Sequence, residues 1–124
     1  MPVELQFENN GKGALLIAKG YMAKGELLAT NAQMYEADTE GHLQYQIVDL
    51  TQLDQEEISV DNFQKLVAMD KQAASEHGGL RVAVIVKRGL LEAISEVYSQ
   101  KVSDENLTTK LFENIATARE WLHQ

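Results

Sequence analysis

The chain has 124 residues, a formal net charge of −8 and no cysteine. This length suits one buried core, so we expect residues 1–124 to fold as a single domain. Without cysteine the chain can form no disulfide, thiolate nucleophile or cysteine-ligated zinc site. The 19 acidic against 11 basic residues argue against a nucleic-acid partner, because binding to phosphates depends on cationic side chains.

The N-terminal residues show no basic region followed by an apolar segment, which is the pattern of a secretory signal. No apolar run approaches the ~20 residues that would span a bilayer. We therefore expect a cytoplasmic protein without a membrane span.

The negative charge is concentrated in residues 25–64, which include nine acids and neither lysine nor arginine. These acids are Glu26, Glu36, Asp38, Glu40, Asp49, Asp54, Glu56, Glu57 and Asp61. One side of the molecule should therefore carry a negative field. A solvated acidic face is the favoured interpretation, and a docking surface for a basic partner is the alternative.

The first third of the chain predicts a hairpin and a helix. Apolar and polar residues alternate over residues 3–8, which indicates an edge strand with one wet face. Turn residues 9–13 lead into an apolar interior strand at residues 14–18. Near-helical apolar spacing then predicts a first helix over about residues 27–38.

Residues 45–51 form a short apolar run that ends in a carboxylate and a hydroxyl, which is typical of a buried strand that delivers polar groups to one rim of a sheet. Ser59 is a good N-cap for a second helix that ends near residues 77–79. Asp70 interrupts the apolar stripe of this helix. We expect it either at the margin of the buried face or in a polar pair.

Residues 82–86 are apolar without alternation, as expected for an interior parallel strand covered on both faces. A third helix is predicted at about residues 91–101 and a last strand at residues 107–112. Asn114 should cap a closing helix.

The predicted order is ββαβαβαβα, with most crossovers long enough for a helix. Right-handed crossovers give an open, mostly parallel five-stranded α/β sheet, with an antiparallel strand from the N-terminal hairpin. In this sheet we expect Leu15, Val48 and Val84 to lie side by side in neighbouring parallel strands.

This succession resembles the SpoIIAA-like superfamily of bacterial anti-anti-sigma factors and STAS domains, and more narrowly its bacterial proteins of unknown function. The likeness is carried by residues 45–51 (YQIVDLT), Ser59, residues 81–86 (RVAVIV), 110–113 (KLFE) and 118–122 (AREWL), spread over about the last 80 residues. The resemblance implies a β-α superhelix. For the regulatory branch it implies a protein that works by docking to another protein.

The resemblance also implies a switch at Ser59. In the regulatory branch, a partner kinase phosphorylates a serine at the start of the helix after the central strand, and the phosphate stops docking. The family motif has Asp-Ser followed by Gly, whereas residues 57–61 here are EISVD. A plain helix cap is therefore favoured over a phosphosite at Ser59.

Ligands of open parallel sheets tend to bind at the carboxyl ends of the strands. That rim would collect Tyr21, Asp49, Thr51, Lys87, Arg88 and Asn114. Their opposite charges could hold a small polar or anionic ligand. Ordinary strand-end polarity, with Asp49 bonded to nearby loop amides, is the favoured interpretation.

No residues stand out as catalytic, because no serine has a nearby histidine and carboxylate in a nucleophile setting. The histidines, His42, His77 and His123, lie far apart without ligand spacing, so no metal site is predicted. No motif indicates a cofactor.

Two functional hypotheses follow. The first is a non-enzymatic interaction module that binds another protein through the acidic face around the second helix and its preceding loop. The second is a carrier of a small molecule or lipid, with a pocket at the sheet rim or between helices and sheet. Apolar side chains that stay exposed would favour a homodimer over a lipid.

Overall fold

The computed structural model describes residues 3–20, 25–53, 60–87 and 106–123. Within these ranges the chain forms five strands and three α-helices. In chain order they are β1 (Val3–Glu8), β2 (Gly13–Gly20), α1 (Glu26–Ala37), β3 (Tyr45–Leu53), α2 (Val60–His77), β4 (Leu80–Ile85), β5 (Leu107–Phe112) and α3 (Ile115–Leu122). The helix predicted at about residues 91–101 lies outside the described residues.

The five strands form one sheet in the order β1-β2-β3-β4-β5. β1 is antiparallel to β2, and every other neighbouring pair is parallel. This arrangement confirms the predicted α/β fold, an open and mostly parallel sheet with an antiparallel strand from the N-terminal hairpin. β1 lies at one edge of the sheet and β3 at its centre.

The hairpin between β1 and β2 uses residues that tolerate a positive φ. Asn9, Asn10 and Gly11 have φ angles of 54°, 57° and 83°, in the left-handed region where asparagine and glycine are least strained. The Lys12 N–H donates to the Asn9 carbonyl at 3.1 Å and closes the turn. This short turn sets the antiparallel register of the two strands.

Parallel pairing places Leu16, Val48 and Val84 in one row across β2, β3 and β4. The prediction that Leu15 occupies this row was wrong by one residue, because Leu15 lies opposite Ile47. Since side chains alternate along a strand, the shift moves Leu15 to the other face of the sheet. The three segments are neighbouring parallel strands, as predicted.

The two faces of the sheet bury separate apolar clusters. One face packs under α1 and α2, which contribute Leu27, Met34 and Leu66 to the cluster. The other face packs against α3 through Ala118, and Trp121 lies at the border of that cluster. Helices on both faces explain why β4 is apolar at nearly every position.

Tyr45 begins β3 and lies beside Gly13 in the parallel register. Its ring occupies the space that a side chain at Gly13 would need. The Tyr45 hydroxyl donates to Glu8 Oε2 at 2.6 Å, so this side chain reaches from β3 across β2 to β1. The close approach of the ring is the reason for glycine at position 13.

Gly13→Ala should lower the free energy of unfolding by roughly 1–3 kcal/mol, because the added methyl group overlaps the Tyr45 ring. Urea denaturation measures this loss. In a Tyr45→Ala background the same substitution should cost much less, since the ring is gone. An equal cost in both backgrounds would show that the ring is not what excludes a side chain at this position.

Candidate functional site

Four side chains form a polar cluster in the core, which we call the Asp70 cluster: Asn31 and Tyr35 from α1, Gln46 from β3 and Asp70 from α2. Asn31 and Gln46 are fully buried, and Asp70 is 4% exposed. Buried polar groups are tolerated where they are hydrogen-bonded. The cluster therefore requires that α1, α2 and β3 lie in one relative position.

A single carboxylate oxygen organises the cluster. Asp70 Oδ1 accepts from Asn31 Nδ2 at 3.0 Å, from the Tyr35 hydroxyl at 2.6 Å and from Gln46 Nε2 at 2.9 Å. Asn31 Nδ2 also lies 3.2 Å from Met69 Sδ. Of the two predicted positions for Asp70, the margin of the buried face or a polar pairing, the structure shows the second: a buried carboxylate with hydrogen-bond partners.

Burial raises the pKa of the Asp70 carboxyl to about 6, although the hydrogen bonds from Tyr35, Asn31 and Gln46 act in the opposite direction. Burial, followed by the charge on Asp70, also raises the pKa of the Tyr35 hydroxyl. Tyr35 is therefore a neutral donor at physiological pH. Asp70 changes its charge in a range that cells reach.

The cluster has more acceptors than donors. Asn31 Oδ1 and Gln46 Oε1 are buried and have no hydrogen-bond partner among the described residues. An ionised Asp70 only accepts, whereas a protonated one also donates. Protonation of Asp70 therefore adds a hydrogen-bond donor to a cluster in which two amide oxygens lack one.

Next to the Asp70 cluster, the surface has a hollow of about 540 Å³, which we call the acidic hollow. Its lining residues are Tyr35, Asp38, Thr39, Glu40, Gly41, Ala73, Glu76 and His77. Glu40 and Glu76 are exposed, and Asp38 is half-buried. Tyr35 belongs to both the hollow and the Asp70 cluster, so it connects the surface to the core.

The wall of the hollow is held by the loop between α1 and β3. The Asp38 carboxylate accepts from the backbone N–H groups of His42 and Leu43 at 2.9 and 3.0 Å. Glu40 Oε2 lies 3.3 Å from His42 Nε2. Both oxygens of the Asp38 carboxylate therefore bind the backbone of the loop. The Glu40 side chain is exposed beside it.

On the opposite face, Glu8 forms a second polar group with α3. Arg119 donates to both Glu8 oxygens, at 2.8 and 3.0 Å, and these bonds hold the pKa of the Glu8 carboxyl below its usual value. The Arg81 guanidinium lies 4.3 Å from the Trp121 ring centroid. These contacts fasten α3 to the sheet.

The register places Asp49, Thr51, Lys87 and Asn114 at the carboxyl edge of the parallel strands. Asp49 Oδ1 accepts from the Thr51 N–H at 3.0 Å and from its hydroxyl at 2.6 Å. Asn114 Oδ1 accepts from the Thr117 N–H at 2.9 Å and caps α3. Among the described residues, no hydrogen bond joins these two pairs across the rim.

Three of the predicted site residues lie outside the described residues: Tyr21 and Arg88 of the rim, and Ser59. In sequence, Ser59 directly precedes Val60, the first residue of α2. The ligand rim and the Ser59 switch stay predictions.

Sequence reasoning named Asp70 but missed its partners. Asn31, Tyr35 and Gln46 are 24 to 39 residues away from Asp70 along the chain. Gln46 offered one signal, since it is a polar residue within the apolar first half of the central strand. No spacing rule connects that glutamine to an aspartate in a later helix.

No family model matches the chain, and no curated protein matches its sequence. Among solved structures, it is similar to an uncharacterised protein of the DUF3478 family from Shewanella loihica PV-4, described as having a SpoIIAA-like fold. The two share 20% sequence identity with a TM-score of 0.62 over 97% of this chain and 91% of the other. This chain therefore has a SpoIIAA-like fold, as the sequence resemblance implied.

Within the described ranges, no three histidine, aspartate or glutamate side chains group as metal ligands. None of the helices described there is both long and apolar enough to span a bilayer.

Asp70→Asn should change how stability depends on pH. The pKa of Asp70 is about 6 in the folded state against an ordinary 3.8, so between these values the folded state binds a proton that the unfolded state has lost. The stabilisation from this proton is full below about pH 4 and is lost as the pH rises through about 6. The free energy of unfolding of the native chain, relative to Asp70→Asn, should fall by roughly 1–3 kcal/mol over that range.

Denaturant unfolding between pH 4 and pH 7 measures this difference. Glu36→Gln is the control, because it removes an exposed carboxylate from α1. A pH-independent difference between the native chain and Asp70→Asn would contradict the raised pKa.

Proposed function

We propose that this chain is a non-enzymatic, cytoplasmic protein-interaction module of the SpoIIAA-like type, which binds a basic segment of a partner protein in the acidic hollow. The observation that carries this proposal is the lining of the hollow. Asp38, Glu40 and Glu76 line it, and of the residues that the structure describes no lysine or arginine does so. A lining of this kind favours a cationic occupant.

The electrostatics support a peptide-like partner. Exposed carboxylates attract a cationic segment at a distance, and this attraction weakens as salt screens it. An arginine fits the hollow, since carboxylates accept its N–H groups and aromatic rings stack with its guanidinium. The Tyr35 and His77 rings lie edge to face, with centroids 6.5 Å apart, and both line the hollow.

The carrier hypothesis has less support from the described residues. Its pocket was predicted near Tyr21, Asp49, Lys87 and Arg88. The Asp49 carboxylate oxygen Oδ1 already accepts two hydrogen bonds from Thr51. A ligand there would have to compete with that local pairing.

Titration with an amidated Arg-Ala repeat peptide tests the acidic hollow. We expect amide chemical-shift changes to concentrate on residues that line it, and a double Glu40→Gln, Glu76→Gln variant should bind at least about tenfold more weakly at low salt. Glu120→Gln is the control, because Glu120 is an exposed acid on α3.

Shifts spread evenly over all exposed acids, or equal losses in the double variant and in Glu120→Gln, would contradict a defined site. Such results would indicate unspecific attraction to a chain of net charge −8.

We also propose that phosphorylation of Ser59 regulates docking, since a phosphate just before a helix changes both charge and hydrogen bonding there. Peptide mapping of protein from its native host should show the phosphate in some growth state. Ser59→Glu should weaken peptide binding, whereas Ser59→Thr, which keeps the hydroxyl, should not. Lack of phosphate in every growth state, together with unchanged binding by Ser59→Glu, would leave Ser59 as a helix cap.

A further inference from the structure

β1 is one of the two edge strands of the sheet, and within the described ranges its only neighbouring strand is β2. The outer side of an edge strand presents backbone N–H and C=O groups that can pair with another strand. Natural proteins usually protect such edges with unpaired charges, prolines or bulges.

Both acids of β1 are matched by a cation. Glu4 Oε1 lies 3.1 Å from Lys19 Nζ, and the Glu8 carboxylate binds both guanidinium nitrogens of Arg119. β1 is therefore locally neutral on a chain whose net charge is −8. A second acidic molecule can approach this edge with less repulsion than it would meet at the acidic hollow.

The edge also carries exposed apolar surface. Among the described residues, two large apolar side chains are left exposed: Phe7 of β1 at 42%, and Ile115, which belongs to α3, at 39%. Phe7 lies on the same face of β1 as Val3 and Leu5, since side chains alternate along a strand. Exposed apolar surface next to an unpaired strand edge favours a protein occupant.

We propose that β1 is a self-association edge, through which two copies of the chain pair their β1 strands antiparallel about a two-fold axis and form one continuous sheet. This inference uses the outer edge of β1, which adjoins the acidic hollow where Phe7 lies near Asp38 and Glu40, and it does not depend on the proposed function. The occupant is a second copy because the strand is complementary to itself.

Self-complementarity follows from the register. Antiparallel pairing about a two-fold axis keeps corresponding faces of the two sheets on the same side. Each odd-numbered residue of β1 must therefore pair with an odd-numbered residue of the second copy, and each even-numbered residue with an even-numbered one. Two registers pair five residues within Val3–Glu8: one centred on Leu5 and one centred on Gln6.

The register centred on Gln6 would set Glu4 opposite Glu8 of the second copy, twice per dimer, and even with Lys19 and Arg119 beside them two carboxylates directly opposite are less favourable than a carboxylate opposite a neutral side chain. The register centred on Leu5 sets Glu4 opposite Gln6 instead. It also sets Phe7 opposite Val3 on the apolar face. The geometry therefore selects the register centred on Leu5.

The first measurement is the mass of the native chain by sedimentation over a wide range of concentrations. We expect a reversible monomer–dimer equilibrium, because a pair of short strands buries less area than a permanent interface. A monomer mass up to the solubility limit would overturn the proposal.

Charge substitutions at Gln6 then test the interface. Gln6 is exposed, so its variants should fold. Gln6→Lys places a cation opposite Glu4 of the second copy and should lower the dimer dissociation constant by about fivefold, while Gln6→Glu should raise it by a similar factor.

Gln64→Lys and Gln64→Glu are the controls, because Gln64 is exposed on α2, and α2 packs over β4 and β5 at the far side of the sheet. They make the same changes in net charge. Equal shifts at Gln6 and Gln64 would overturn β1 as the interface.

Cysteine cross-linking tests the register, and the native chain has no cysteine to interfere. Directly opposed residues in an antiparallel pair have Cα atoms roughly 4.5–5.5 Å apart, within disulfide range, whereas residues displaced by two are too far apart. Mixing Glu4→Cys with Gln6→Cys should therefore give a cross-linked heterodimer, and neither variant alone should cross-link efficiently. Preferential cross-linking of Gln6→Cys with itself would indicate the register centred on Gln6 and overturn the proposed one.

Discussion

A single carboxylate oxygen in the core holds two helices and the central strand together. Asp70 Oδ1 accepts from Asn31, Tyr35 and Gln46, so its loss would remove one hydrogen bond from each of these donors, two of which belong to fully buried side chains. Apolar packing alone tolerates small sliding of one helix against another. The hydrogen bonds to Asp70 do not, because each depends on distance and direction. The relative position of α1, α2 and β3, and with it the shape of the acidic hollow, depends on this contact.

The distribution of charge gives the molecule two different surfaces. Lys19 and Arg119 neutralise Glu4 and Glu8, whereas Glu40 and Glu76 stay exposed at a hollow that no described lysine or arginine lines. Under the two proposals, a basic partner binds at the hollow and a second copy binds at the β1 edge. Salt would distinguish the two proposed interactions, because screening weakens the first and has little effect on backbone pairing.

This chain shares the SpoIIAA-like fold with a solved structure at 20% sequence identity. At this identity, the likeness shows a shared fold and nothing about function. Function depends on particular side chains and does not follow from the fold. The proposals for this chain therefore rest on its own acids, edge strand and buried cluster.

The sequence by itself determined the elements that the structure describes, because alternation, apolar runs and cap residues are local signals read within about 10 residues. From the order of these elements it also predicted a sheet with one antiparallel strand and otherwise parallel pairing. It also marked Asp70 as out of place on an apolar stripe. Only the tertiary structure decided that Leu16 and not Leu15 lies beside Val48, since a slip of one residue leaves the local pattern unchanged. Only the tertiary structure brought Asn31, Tyr35 and Gln46 to Asp70, because hydrogen bonds between distant segments depend on how helices and sheet pack, and no local pattern encodes that packing.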